Sequence, residues 1–242
     1  MHWGIQAVLH TLYPPSCVSC GELVESEFGL CGHCWRDMPF ISGPVCDSCG
    51  VPLPGPVDGH RLECDACMQT PRSWRMGRAA MLYSGTGRKM VLGLKHGDRQ
   101  DIARPAGQWL AQAAKPLIQP DMVIAPVPLH RFRLLRRRYN QSALLSRAVA
   151  TRLNLTHCPD LLVRTRQTPS LDRRTREERT EILSGAIAVH PGRTGQIKDR
   201  PVLIVDDVMT SGATLEACST ACLVGGASDV FVLVLARVAN DP

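Results

Sequence analysis

Four Cys-x-x-Cys pairs near the start of the chain constrain its fold more than any other feature. The pairs are Cys17–Cys20, Cys31–Cys34, Cys46–Cys49 and Cys64–Cys67. Each pair can place two thiolates on one side of a tetrahedral ion, so four pairs make two Cys₄ sites, for which Zn²⁺ is the expected ion. The segment from Cys17 to Pro71 is poor in aliphatic residues and rich in glycine and proline. It can hardly bury enough apolar surface to fold without metal.

The spacing leaves two ways of grouping the pairs. Consecutive grouping gives the first ion Cys17, Cys20, Cys31 and Cys34, and gives the second ion Cys46, Cys49, Cys64 and Cys67. A cross-braced grouping, first pair with third and second with fourth, is also compatible with the spacing. The competing interpretations are a disulfide framework and an iron–sulfur cluster. Disulfides require export, and the beginning of the chain shows neither a basic leader nor a small-residue cleavage site, which favours zinc in a cytoplasmic protein.

The stretch from residue 202 to residue 214 has the pattern of an anion site. Val202–Val205 reads as a short buried strand, and two carboxylates, Asp206 and Asp207, follow it. A turn of small and hydroxyl-bearing residues then leads into a helical pattern: Thr210, Ser211, Gly212, Ala213 and Thr214. Backbone N–H groups at a helix N-terminus, together with the helix dipole, attract negative charge. A glycine in the turn allows a phosphate to approach the backbone closely.

The acidic pair requires a separate explanation, because carboxylates repel phosphate. They suit a neighbouring sugar, whose vicinal hydroxyls can donate hydrogen bonds to them. A strand that ends in acids and precedes a phosphate cradle therefore predicts a site for ribose 5-phosphate. The stretch resembles the 13-residue loop with which type I phosphoribosyltransferases bind 5-phosphoribosyl-1-pyrophosphate (PRPP). The alternative is an ordinary buried strand and turn with an acidic N-cap.

A second candidate loop follows the predicted strand Met122–Val127 and is rich in arginine. Its cations are Arg131, Arg133, Arg136, Arg137 and Arg138. Arginines at the carboxyl end of a strand can bind pyrophosphate through bidentate contacts, and they can equally hold a nucleic-acid backbone. A solvated basic loop is the third interpretation. Lys95, at the end of a predicted helix, is a further candidate contact for pyrophosphate, although a cation there also suits the helix dipole without further function.

Strand and helix patterns alternate from Arg78 onward, which predicts a mostly parallel sheet flanked by helices. The predicted strands are Ala79–Tyr83, Met122–Val127, Ala186–Val189, Val202–Val205 and Val230–Leu235, and the predicted helices are Met1–Leu12, Arg88–Lys95, Pro105–Lys115, Gln141–Leu153 and Thr214–Val224. We expect a zinc-binding module over residues 1–72 and an α/β domain over residues 73–242, with ligands at the carboxyl ends of the strands. No apolar run approaches the length of a membrane span.

The whole pattern resembles the competence protein F (ComF/GntX) family of phosphoribosyltransferase-like proteins. The likeness rests on four stretches: Leu94–Asp98 (Leu-Lys-His-Gly-Asp), Pro126–Leu129 (Pro-Val-Pro-Leu), Arg138–Gln141 (Arg-Tyr-Asn-Gln) and Val205–Thr214. The chain departs from the family at Arg138, where a glycine is usual. It also lacks the glutamine expected after Pro169-Ser170 and has Ile182 where asparagine is common.

The resemblance implies a double zinc-ribbon-like module followed by a type I phosphoribosyltransferase fold that binds PRPP with Mg²⁺. Asp206 and Asp207 would hold the ribose hydroxyls or a metal-bound water, and the phosphate would lie in the turn from Thr210 to Thr214. Two functions follow from it. One is transfer of a phosphoribosyl group to an acceptor that the sequence does not identify. The other is a non-catalytic cytoplasmic helper of natural transformation, which handles single-stranded DNA beside DNA-uptake proteins.

Overall fold

The computed structural model describes most of the chain. The described residues are 14–27, 29–56, 59–129, 138–166, 178, 182–183 and 185–239. The predicted helix Met1–Leu12 lies outside these ranges.

A five-stranded sheet organises the larger part of the molecule. Its strands are β1 (Met76–Leu82), β2 (Val123–Pro126), β3 (Thr156–His157), β6 (Val202–Met209) and β7 (Val230–Arg237). They lie in the order β1-β7-β6-β2-β3, and every neighbouring pair is parallel. A separate antiparallel pair is formed by β4 (Leu162–Arg164) and β5 (Ile187–Val189). The predicted mostly parallel sheet is therefore confirmed, with β5 outside it.

Helices cover both faces of the sheet, as its parallel strands require. The helices are α1 (Gly32–Arg36), α2 (Asp65–Gln69), α3 (Gly85–His96), α4 (Ala103–Ala114), α5 (Gln141–Leu153), α6 (Thr194–Ile197) and α7 (Ala213–Val224). Side chains from α3, α4 and α5 share one apolar core with the sheet, and side chains from α7 share the other. Among the described helices, none combines the length and the apolarity needed to cross a bilayer.

Several sequence expectations need correction. Strand β1 and helix α3 each begin three residues earlier than predicted, at Met76 and Gly85. The strand predicted to end at Val205 continues to Met209, so Asp206 and Asp207 lie within β6 rather than after it. The helix predicted to open at Pro105 begins two residues earlier, at Ala103, because a short 3₁₀ turn (Gln100–Ile102) leads directly into it. Strands β3 and β4 were not predicted, since two or three residues are too few to show a period.

The cysteine-rich segment contains a duplicated unit that the spacing of the cysteines alone did not show. Ser16 and Leu23 form an antiparallel bridge, and Val45 and Pro52 form the same bridge 29 residues later. Backbone hydrogen bonds repeat at the same offset, as in Cys17 N to Glu22 O (2.7 Å) and Cys46 N to Val51 O (2.8 Å). The repeated stretch Pro-x-Cys-x-Ser-Cys-Gly, at residues 15–21 and 44–50, carries this signal in the sequence.

The second of these units packs directly on the edge strand β1. A Cβ atom on Gly50 would lie 2.9 Å from the backbone nitrogen of Ala79, and one on Gly77 would lie 2.6 Å from the carbonyl oxygen of Ser48. Arg78 in β1 also donates a 2.6 Å hydrogen bond to Asp47, which lies between Cys46 and Cys49. The two backbones therefore meet at a distance that only glycine permits.

Replacing Gly77 with alanine tests this close approach. Gly77→Ala places a methyl group against the Ser48 carbonyl and the Val232 side chain, 2.8 Å away. We expect the free energy of unfolding to fall by about 2–3 kcal/mol, because backbone cannot yield as a flexible side chain does. Urea denaturation measures the change. Gly195→Ala is the control, since nothing lies within 4 Å of its Cβ position; equal losses in the two variants would contradict the packing argument.

Candidate metal centres and anion site

The structure brings the eight paired cysteines together as two clusters. The first contains Cys17, Cys20, Cys31 and Cys34, and the second contains Cys46, Cys49, Cys64 and Cys67. Within each cluster the sulfur atoms all lie within 4.8 Å of one another. This is the consecutive grouping, and the cross-braced alternative is not the one found. Four converging thiols are the donor set of a structural zinc site, so the residues fit the ion that the spacing predicts.

Each cluster combines a tight turn with a helix N-terminus. In the turns, Gly21 and Gly50 adopt φ values of 81° and 71°. These glycines allow the chain to reverse direction just after the second cysteine of the pair. Gly50 N, for example, donates to Cys46 O at 2.8 Å. In the other half of each cluster, Cys31 and Cys64 are the N-cap residues of α1 and α2. The local backbone therefore directs the two thiols of each pair to the same side.

The acidic pair lies at the carboxyl end of the sheet, between two helices. Ser142, in the first turn of α5, donates its hydroxyl to Asp206 Oδ1 at 2.8 Å, and Asp207 N donates to the same oxygen at 2.9 Å. Among the described residues, no donor reaches Asp206 Oδ2. Burial raises the pKa of Asp206 to about 7, and the charge of Asp207 acts in the same direction. This carboxyl group therefore titrates near neutrality.

Lys95 balances the charge of the second acid. Its ammonium group lies 3.0 Å from Asp207 Oδ1, and both side chains are largely withdrawn from solvent, at 20% and 11% exposure. The helix α3, which ends at His96, carries the lysine to the carboxyl edge of β6. The structure thus places this predicted site residue beside the acidic pair, where its charge offsets the repulsion between adjacent carboxylates.

The turn after β6 has the geometry of an anion cradle. Gly212 is the N-cap of α7 and has a φ of 83°. A Cβ atom there would lie 3.2 Å from the Trp74 ring and 3.3 Å from the Arg72 guanidinium, so both conformation and space require glycine. Since the first N–H groups of a helix have no intrahelical acceptor, those of Ala213 and Thr214 can bind an anion.

A cleft of about 350 Å³ joins the turn to Asp206, the first acid of the pair. Its lining includes Lys95, Asp206 and the whole predicted turn: Thr210, Ser211, Gly212, Ala213 and Thr214. The cleft is open to solvent on one side and is closed below by β6 and α7. A carboxylate at one end and free helix N–H groups at the other suit a ligand that carries both hydroxyls and a phosphate.

Most of the arginine-rich loop lies outside the described residues, including Arg131, Arg133, Arg136 and Arg137. Arg138 is described; it is exposed and has a φ of 65°. That left-handed conformation gives a physical reason for the glycine that is usual at this position in the family that the chain resembles. Tyr139 and Asn140 then anchor the chain, because the Tyr139 hydroxyl donates to Leu94 O at 2.7 Å and Asn140 caps α5.

Three residues around the site were not foreseen from the sequence. Ser142 holds Asp206, while Arg72 and Arg237 donate to backbone carbonyls of the anion turn. Arg72 precedes β1 and Arg237 ends β7, so sequence spacing gave no sign of their common position. A basic residue at the end of the otherwise apolar Val230–Arg237 strand was the one available signal, and it indicates a buried partner.

The raised pKa of Asp206 predicts how stability varies with pH. Its pKa is higher in the folded chain than in the unfolded chain, so the folded state binds more protons between about pH 4 and pH 7 and this group destabilises the fold as the pH rises through that range. We expect Asp206→Asn, measured without ligand, to raise the free energy of unfolding at pH 8 by about 1–2 kcal/mol, and to have little effect near pH 4. Urea titrations at both pH values measure it.

Asp207→Asn is the matched control for this effect. It leaves Lys95 without its 3.0 Å partner, so we expect a loss of stability at pH 8 where Asp206→Asn gives a gain. An Asp206→Asn effect of the same sign and size at pH 4 and pH 8 would contradict the pKa assigned to Asp206.

Comparison with known proteins identifies relatives over almost the whole chain. Residues 8–68 match the double zinc ribbon domain. The chain is 28% identical over 228 residues to competence protein F of Haemophilus influenzae, covering 91% of this chain and 96% of that one. It is 29% identical over 231 residues to the DNA utilization protein YhgH of Shigella flexneri, covering 93% and 97%.

Among solved structures, glutamine PRPP amidotransferase from B. subtilis is similar at 15% identity with a TM-score of 0.40. The match covers 59% of this chain and 30% of that one. The two four-cysteine clusters fit the double zinc ribbon. The resemblance found in the sequence is confirmed: the chain is a homologue of competence protein F and YhgH, with a double zinc ribbon ahead of a mostly parallel α/β sheet.

Proposed function

We propose that the cleft at the carboxyl end of β6 binds PRPP with Mg²⁺ through the ribose 5-phosphate part of the molecule. One observation carries the proposal: Asp206 and an anion-binding helix N-terminus line the same cleft of about 350 Å³, and Asp207 lies 3.0 Å from Lys95 of that lining. The phosphate would lie in the turn from Thr210 to Thr214. The ribose hydroxyls would donate to Asp206 and Asp207, as vicinal hydroxyls can donate to two carboxylates.

The charges of the site suit the rest of the ligand. Mg²⁺, when bound with PRPP, would neutralise part of the pyrophosphate charge, and Asp206 or Asp207 would hold a water on the metal. Lys95 lies in the same cleft and can add a donor to an anion without leaving Asp207, because an ammonium group has three hydrogens. The site residues thus combine groups for a sugar, a monophosphate and a metal-bound pyrophosphate.

We propose transfer of the phosphoribosyl group as the reaction of this site. The bond between ribose C1 and pyrophosphate would break, and a nucleophilic acceptor would form the new bond to C1. Positive charge that develops on the ring would be stabilised by the carboxylates on the ribose hydroxyls. Pyrophosphate would leave with the electron pair of the broken bond.

Calorimetric titration of Mg²⁺-PRPP into the zinc-loaded protein tests the proposal. We expect saturable binding with one site, and we expect Asp206→Ala/Asp207→Ala to weaken it at least 30-fold, or about 2 kcal/mol, because two charge-assisted hydrogen bonds are lost. Ser211→Asp, which places a negative charge in the phosphate cradle, should weaken it as strongly.

Asp229→Asn is the control, because this carboxylate lies outside the cleft. Its Oδ2 pairs with Arg75 Nη1 at 3.3 Å. Binding that is absent from the wild type, or equal in all variants, would overturn the assignment of the cleft. Release of pyrophosphate in the presence of candidate acceptors then tests transfer separately from binding.

A second candidate function, handling of single-stranded DNA, is favoured by the names of the relatives. They are called competence protein F and DNA utilization protein. The chain has a formal net charge of +6, and five arginines lie close together between residues 131 and 138. Such a cluster suits contact with a phosphate backbone.

Replacing Arg136, Arg137 and Arg138 together with glutamine tests this second function. If the loop holds single-stranded DNA, affinity should fall at low salt and the slope of log affinity against log salt should become shallower by about two to three. Fluorescence anisotropy with a labelled oligonucleotide measures both quantities. An absence of binding by the wild type at low salt would exclude this function, and an unchanged slope would exclude the loop as its contact.

A further inference from the structure

Two arginines join the second cysteine cluster to the anion turn. Arg237 is only 8% exposed and lies at the end of β7. Arg72 is half-buried in the segment that leads from the second ribbon into β1. Among the described residues, neither guanidinium lies within salt-bridge distance of a carboxylate. A buried cation without a carboxylate needs another source of negative charge.

Arg237 connects the cluster to the turn through its two terminal nitrogens. Nη2 donates to Cys49 Sγ at 3.7 Å. Nη1 donates to Met209 O at 3.2 Å, to Thr210 O at 2.9 Å and to Val238 O. One guanidinium therefore contacts a cluster sulfur on one side and consecutive carbonyls of the turn on the other.

Arg72 makes a parallel connection one residue further along the turn. Its Nη1 donates to Ser211 O at 3.0 Å, and its guanidinium lies 5.2 Å from the centre of the buried Trp74 ring. The Trp74 ring nitrogen donates in turn to Ser48 O, which lies between Cys46 and Cys49 of the second cluster. The Arg72 guanidinium and the Trp74 ring both contact Gly212, since a Cβ atom there would meet each of them.

These contacts orient the peptide groups of the turn. In a trans peptide the C=O and the following N–H point in opposite directions. Because Arg237 holds the Thr210 carbonyl and Arg72 holds the Ser211 carbonyl, the N–H groups of Ser211 and Gly212 are directed away from the arginines. The same stretch lines the cleft on its other side. Fixing the carbonyls therefore presents the amides to an anion.

Charge balance explains why the arginines would need the metal. Four thiolates around one Zn²⁺ carry a formal charge of −2, which two arginines match. Zn²⁺ would fix Cys49 Sγ in place, 3.7 Å from Arg237 Nη2, so loss of the metal would free the sulfur that this buried guanidinium contacts. Arg99, which contacts the first ribbon, is paired instead with Asp101 and donates to Val18 O rather than to the turn.

We propose that Arg72 and Arg237 are positioning residues through which zinc at the second cluster holds the anion turn in its binding conformation. Loss of that zinc would release the two guanidinium groups and loosen the turn. The ligand part of this inference rests on the proposed function of the cleft, whereas the structural part does not. Zinc occupancy at the second ribbon would thus regulate the affinity of the cleft for a phosphate ester.

Amide hydrogen exchange by NMR on the full zinc-loaded chain tests the structural part. Glu216 N donates to Gly212 O at 2.9 Å and Val238 N donates to Met209 O at 3.0 Å, so these two amides report on the turn. We expect Arg72→Gln and Arg237→Gln to accelerate their exchange at least tenfold while two zinc ions remain bound by elemental analysis. Amides of β6 from Val202 to Val205 serve as the internal reference.

Arg99→Gln is the matched control, because it removes an arginine that donates to the first ribbon, at Val18 O. Unchanged exchange in Arg72→Gln, or equal acceleration in Arg99→Gln, would overturn the proposal. If Arg237→Gln does not fold, Arg72→Gln, at the less buried position, decides alone.

Removal of zinc from the wild type by a chelator should accelerate exchange of the Glu216 and Val238 amides alike. Unchanged exchange of these amides, or loss of protection throughout β6, would also overturn the proposal.

Titration of Mg²⁺-PRPP into the same proteins tests the ligand part. We expect affinity at least tenfold lower in Arg72→Gln than in Arg99→Gln and the wild type. Binding as tight in Arg72→Gln as in the wild type would overturn the positioning role. If the wild type itself does not bind PRPP, the proposed function fails, and the exchange measurements still decide whether the metal controls the turn.

Discussion

Thiolate coordination at the second cluster is the interaction on which the rest of the structure depends. Cys46, Cys49 and Cys67 are buried in the same apolar core as Trp74 and the strands β6 and β7. A metal site at that place would do more than fold the ribbon that contains it, because its cysteines belong to the core on one face of the sheet. Apolar side chains alone could not do so here, since the ribbon contributes few of them.

The duplicated ribbon has diverged in what its two halves contact. In the first ribbon, the backbone carbonyl of Val18, the residue after Cys17, accepts a hydrogen bond from Arg99. In the second ribbon, the equivalent residue is Asp47, which follows Cys46 and accepts hydrogen bonds from Arg78 and from the backbone of Leu62. The second ribbon is therefore attached to the sheet by buried polar contacts and close backbone packing. The difference gives a physical basis for separate roles, with the first centre stabilising its own ribbon and the second also supporting the turn.

Prediction from the sequence succeeded where a pattern is long or chemically distinctive. Helix α5 has the predicted bounds, Gln141–Leu153, because an asparagine cap and a run of helix formers mark both ends. The strand before the acidic pair was predicted too short, since carboxylates normally end a buried strand. Here Asp206 remains in β6, paired with Val234 of β7. Ser142 donates a hydrogen bond to Asp206, and Lys95 pairs with Asp207, each from a neighbouring helix. Those partners lie 64 and 112 residues away along the chain.

The sequence by itself determined the residue types at the metal clusters and at the anion turn, because thiol spacing and a glycine at a helix start carry local chemistry. The grouping of the cysteines, the neutralisation of Asp207 and the common position of Arg72 and Arg237 were decided only by the tertiary structure. Each of these depends on contacts between elements far apart in the chain. No local pattern records such contacts, because the strand order β1-β7-β6-β2-β3 sets which ends meet.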